Sequence, residues 1–197
     1  MRRINRQTAR SPDRHIRRSR GFTLIEAALT TVIVGTGVLA LVGAQQAYHI
    51  KNDYAVRTNQ GHMLANEIRE LTANLPHHDP ITSAANYGPE PGEGAVLDYD
   101  DLDDFAGTVS AGFGAGLTFN PPINAAGLTM TGLDQWTQQV SVSNVDPANI
   151  SVATGSTLPI GTTDVMRVTV TVFYDQDQDG NNLQRVSTMT WAVPEAD

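Results

Sequence analysis

Residues 22–44, FTLIEAALTTVIVGTGVLALVGA, form an unbroken apolar run of 23 positions with a single charge, Glu26. As an α-helix the run would reach roughly 35 Å at about 1.5 Å per residue, enough to cross a hydrocarbon core of about 30 Å. A chain that carries such a segment has to bury it in lipid or against other helices. A carboxylate inside it is costly and marks function rather than packing. The question the sequence raises is therefore what neutralises Glu26.

The flanking charge orients the run. Residues 1–21 hold eight Arg and one Asp, a net of +7, whereas the remaining 176 residues hold five basic and twenty acidic side chains, a net of -15. A basic, nearly apolar-free tail before the run places that end on the cytoplasmic side. Three readings compete. An ordinary export signal would be cut after Val42-Gly43-Ala44, which leaves Glu26 without a role. A twin-arginine signal at Arg17-Arg18 is followed by Ser-Arg-Gly-Phe, a poor fit. A leader cut before the apolar run, so that the run stays in the product, accounts for the most residues.

That third pattern resembles the type IV pilin and type II secretion pseudopilin family. A basic leader ends in Gly21, Phe22-Thr23-Leu24-Ile25-Glu26 follows, and about twenty apolar residues come after. The resemblance covers roughly residues 17–45. It implies that a prepilin peptidase cuts between Gly21 and Phe22 and methylates the new Phe22 amine. It also implies that Glu26 pairs with the Phe22 ammonium of a neighbouring subunit during filament assembly. Physically, such a pair satisfies two charges in a low-dielectric setting and sets the axial offset between subunits. The competing reading is a plain anchor with a snorkelling Glu26. The implied location is the bacterial inner membrane, single-pass, with the C-terminal domain in the periplasm, followed by incorporation into a pilus or pseudopilus.

Helical periodicity continues beyond the run. Gly61, Leu64, Ile68, Leu71 and Leu75 recur at spacings of 3, 4, 3 and 4, and Pro76 ends the pattern. The sequence predicts one helix over 22–75, membrane-spanning over 22–44 and amphipathic over 45–75. Gly35, Gly37 and Gly43 in its first half serve either bending or close helix packing. Residues 76–134 are rich in Pro, Gly and Asp and read as irregular connection with a short strand near 117–119. Alternation after Trp136 predicts strands, with 165–174 and 183–193 as an antiparallel hairpin. In that hairpin Met166, Val168, Val170, Val172 and Tyr174 share one face, as do Leu183, Met189, Trp191 and Val193. The expected fold is α+β and pilin-like: a long N-terminal helix packed on a C-terminal antiparallel sheet over 135–197.

Three stretches invite ligand chemistry. The hairpin turn DQDQDGNN sets Asp175, Asp177 and Asp179 ahead of Gly180, the first half of a calcium loop; Val186 stands where an EF-hand places its bidentate Glu, so the turn is either a calcium-tightened hairpin or a polar β-turn. DYDDLDDFAG, residues 98–107, packs five Asp into seven positions and reads as a solvated acidic loop, a calcium site or a subunit contact. This acidic-aromatic patch is similar to one in minor pilins of the mannose-sensitive haemagglutinin pilus type. His77-His78-Asp79 lacks a third ligand at a diagnostic spacing. Ca2+ is the only cofactor suggested.

Other classes recede. From Arg69 to Arg167 no Lys or Arg intervenes while twelve acidic residues do, which repels nucleic acid. No cysteine nucleophile, HExxH, P-loop or GxSxG pattern is present, so no enzyme is expected. The expectation is a structural, minor filament subunit whose partners are prepilin peptidase, other pilin subunits and the inner membrane. The alternative is a membrane-tethered, calcium-dependent binding domain that never polymerises.

Overall fold

The computed structural model describes residues 21–79, 81, 87–150, 157–178 and 180–195. Two compact units divide the chain, Met1–His49 and Ile50–Asp197. Helix α1 covers Leu24–Thr72. Thr23 starts it: its Oγ1 accepts the Glu26 amide N–H at 3.3 Å, one half of the capping box that Thr-x-x-Glu encodes. Within the first unit the hydroxyls of Thr30, Thr31 and Thr36 donate to carbonyls one turn back, at 2.7, 2.9 and 3.0 Å. These threonines therefore ask nothing of the surroundings, as an apolar medium requires. Of the described helices α1 alone is long and apolar enough to cross a membrane. It ends at Thr72, three residues short of the predicted Leu75. Hydrogen bonds from Ala73 to Glu70 and from Leu75 to Thr72 replace the α-helical pattern there, because Pro76 and its preceding residue disfavour helix.

The second unit is built on an antiparallel sheet. Its strands are β3 (Leu117–Phe119), β4 (Trp136–Val145), β6 (Val165–Tyr174) and β7 (Gln184–Pro194), in that order, with β5 (Thr157–Leu158) pairing β4. A small pair, β1 (Val109–Ser110) and β2 (Phe113–Gly114), stands apart. The predicted hairpin is present, and the middle region contributes β3 to the sheet. The register sets Val140 opposite Val170 and Val142 opposite Val168, so β-branched side chains meet across the strands. The alternation reads correctly along β6, where Met166, Val168, Val170 and Val172 are buried.

Along β7 it fails at one end. Val172 faces Ser187 but Phe173 faces Arg185, so Val186 is an extra, bulged residue. A single insertion reverses which side chains point inward. Leu183, counted by parity with Met189 and Trp191, lies outside the strand and is 41% exposed.

The core joins Leu64, Ala65 and Ile68 of α1 to Trp136, Val140 and Val142 of β4 and to the buried row of β6. Gly61 marks the closest approach. A Cβ there would stand 3.1 Å from both Ser187 Cβ and Val186 Cγ1, at the bulge. Gln138 sits on the apolar face of β4 and is fully buried. Its amide donates to Leu64 O at 2.8 Å and Ile123 O at 3.1 Å, and its Oε1 accepts from Ile123 N at 2.8 Å. One side chain thus ties the sheet to the helix and to the 120s loop.

Candidate functional site

Gly21 and Phe22 precede the helix, with Phe22 69% exposed, and Glu26 is exposed in the first turn. From Phe22 through Val56 every residue is exposed, including Ile25, Leu29, Ile33 and Leu39. A Cβ added at Gly21, Gly35, Gly37 or Gly43 would meet nothing within 4 Å. Among the described residues, packing thus gives no reason for glycine at any of the four.

At the hairpin turn Asp175 is buried and already committed. Its Oδ1 accepts from Asp177 N at 3.1 Å and its Oδ2 from Gly180 N at 2.7 Å. This carboxylate organises the turn by satisfying two backbone donors. Asp177 is exposed, and Asp179 lies outside the described residues.

The largest departure from the sequence reading is the 98–107 stretch. It is solvated at one end only: Asp98 and Asp100 are exposed, whereas Asp101, Leu102, Asp103, Asp104, Phe105 and Ala106 are all fully buried. A 3-10 turn, Asp103–Ala106, drives Phe105 and Leu102 into the core and draws their acidic neighbours in with them. Asp103 is well partnered. Its Oδ2 pairs with His78 Nδ1 and its Oδ1 accepts from Gly88 N at 2.6 Å. Gly88 is required here, with φ +81° and a virtual Cβ 2.5 Å from Gly107 O. The Asp103 hydrogen bond raises the His78 pKa above its ordinary value, whereas burial pushes that of His77 down. The His77-His78-Asp79 cluster therefore splits: His78 holds Asp103, His77 is buried, and Asp79 Oδ1 accepts from Ile81 N at 2.6 Å.

Asp101 and Asp104 form a second, less satisfied group. Asp101 Oδ1 accepts from Asp104 N at 3.1 Å, and Asp104 Oδ2 accepts from Asp100 N and Asp101 N at 3.2 and 3.4 Å. Asp101 Oδ2 and Asp104 Oδ1 are buried with no hydrogen-bond donor among the described residues. Glu90 and Glu93, from the YGPEPGEG stretch read as irregular connection, join through Asp104. Carboxylate oxygens of Glu90, Glu93 and Asp104 lie within 4.8 Å of one another, as do those of Asp100, Asp101 and Asp104. Burial first, then neighbouring carboxylates, pushes Asp101 up to about 7, Asp104 up to about 8 and Glu90 up to about 7. Glu90 and Glu93 could be found only in the folded chain, since nothing in their spacing points to Asp104.

No family model, curated protein or solved structure matches this chain.

Proposed function

We propose that the protein is a membrane-anchored structural subunit, a minor one, of a type IV pilus or type II secretion pseudopilus. Prepilin peptidase removes residues 1–21 between Gly21 and Phe22 and methylates the Phe22 amine. The apolar half of α1 holds the product in the inner membrane. The domain that follows is periplasmic until the subunit joins the filament. The observation that supports this reading is the start of α1: an acid in the first turn of an exposed apolar helix, four residues from the proposed new amine. The pilin-like fold belongs to the same proposal and draws support from the long helix packed through Leu64, Ala65 and Ile68 onto an antiparallel sheet.

The structure adds a rival role for Glu26, because Thr23 and Glu26 occupy capping-box positions. The two roles separate by substitution. Glu26→Gln keeps a side chain that can serve the capping box and removes the charge; Glu26→Ala removes both. If the charge pairs with a neighbouring amine, both variants reach the membrane and neither enters filaments. Filament incorporation of Glu26→Gln at the wild-type level would leave Glu26 a helix cap and favour the tethered, non-polymerising binding domain. Mass spectrometry of the mature N-terminus provides the complementary test. N-methylated Phe22 is expected, and a product starting at Gln45 would mark an ordinary exported protein.

A further inference from the structure

The buried acidic cluster brings together more carboxylates than the side chains around it neutralise. No Lys or Arg occurs between Arg69 and Arg167. The one histidine paired nearby, His78, is engaged by Asp103. The charges acting most strongly on Glu90, Asp101 and Asp104 are those of other carboxylates. Buried carboxylates require a cation, a proton or a dense set of donors. The backbone donors are used on Asp101 Oδ1 and Asp104 Oδ2, and the oxygens left over are Asp101 Oδ2 and Asp104 Oδ1.

We infer that this carboxylate cluster binds calcium, with Asp104 common to two oxygen triads, one with Glu90 and Glu93 and one with Asp100 and Asp101. The donor set is all oxygen, which suits a hard cation and excludes the thiolate and imidazole chemistry of zinc. Mg2+ demands near-ideal octahedral geometry at about 2.0–2.1 Å and gives up its waters reluctantly, whereas Ca2+ accepts several carboxylates in irregular geometry. Calcium would tie the YGPEPGEG segment to the 3-10 turn at Asp103–Ala106, two pieces that lie among irregular structure and have few ladder hydrogen bonds. This inference does not depend on the filament proposal, since the cluster lies wholly within the second unit.

The test uses the full chain in detergent micelles, stripped with chelator and titrated with CaCl2 by calorimetry and by thermal melting. Wild type is expected to bind and, at about 100-fold excess over Kd, to melt roughly 5–10 °C higher. Asp101→Asn and Asp104→Asn keep the side-chain shape and an acceptor oxygen, and each should weaken binding at least tenfold while retaining the apo fold. Should either fail to fold, Glu93→Gln at the half-buried rim makes the same comparison. Asp177→Asn, in the hairpin turn, should bind as wild type does. Three results would overturn the inference. They are no heat and no melting shift at 10 mM CaCl2 (roughly a thousandfold above the weakest sensor sites), loss of binding in Asp177→Asn with none in Asp104→Asn, or an equal response to MgCl2.

Discussion

Gln138 and Gln139 are neighbours on β4 that point to opposite faces, and replacing each with Leu should give opposite results. Gln138 is fully buried and its amide makes three hydrogen bonds, to Leu64 O, Ile123 O and Ile123 N. In Gln138→Leu the Ile123 N–H loses its acceptor in the interior, which costs about 1–3 kcal/mol, and the two carbonyls lose a donor at a further cost of about 1 kcal/mol. Leu64 O contributes little to that loss, because it lies inside α1 and keeps its helical partner. The more apolar side chain returns about 1 kcal/mol. The net expectation is a loss of about 2 kcal/mol, or roughly 4–8 °C in Tm for a chain of this size. Gln139 is exposed, and Gln139→Leu should change stability by less than about 0.5 kcal/mol. The assay is thermal unfolding of the full chain in nonionic detergent, followed by the near-UV circular dichroism of Trp136 and Trp191. A Gln138→Leu protein as stable as wild type would refute the argument, since it would show that the buried amide adds nothing that an apolar contact cannot replace.

Gly61→Leu should destabilise the second unit by about 1–3 kcal/mol despite the better helix propensity, because the side chain must displace the bulge at Val186 and Ser187; chemical denaturation measures it, and an unchanged midpoint would contradict the close approach. Ile68→Ala empties a fully buried position between helix and sheet and should cost about 2–5 kcal/mol. In chelator, stability should fall as pH rises from about 4 to 8. Asp101, Asp104 and Glu90 hold protons in the folded state to about 7, 8 and 7, well above their ordinary values. Over that window the unfolded chain binds fewer protons than the folded one, so raising pH favours unfolding. The raised pKa of His78 acts in the same direction. A higher melting temperature at pH 8 than at pH 5 without metal would count against this buried arrangement.

How much of this was legible beforehand depended on the range over which the physics acts. The apolar run and the glycine before it are local patterns, and the helix predicted from residue 22 begins at Leu24, behind a Thr23 cap that only the structure brought out. The stripe Gly61–Leu64–Ile68 and the valine alternation of β6 are also local, because one face of an element must be apolar to be buried at all. Three features resisted. The bulge at Val186 changed the parity of β7 through a pairing with β6 that alternation along one strand cannot reveal. Gln138 broke the apolar pattern of β4, and only the arrival of Leu64 and Ile123 explains why a polar side chain belongs there.

The burial of Asp101, Asp103 and Asp104 was the least legible feature, while Asp98 and Asp100 stay exposed. Composition says that five acids in seven positions belong in water, and in isolation they do. Phe105 and Leu102 between them overrule composition, since seating those two in the core carries Asp101, Asp103 and Asp104 inside. The sequence alone determined that this chain must place an apolar stem somewhere other than water and must form a helix there, because hydropathy and periodicity act over a few residues. Only the tertiary structure decided which acids would be stranded beside which others, because burial is a property of the whole packed domain and charge acts through space, whatever the order of residues along the chain.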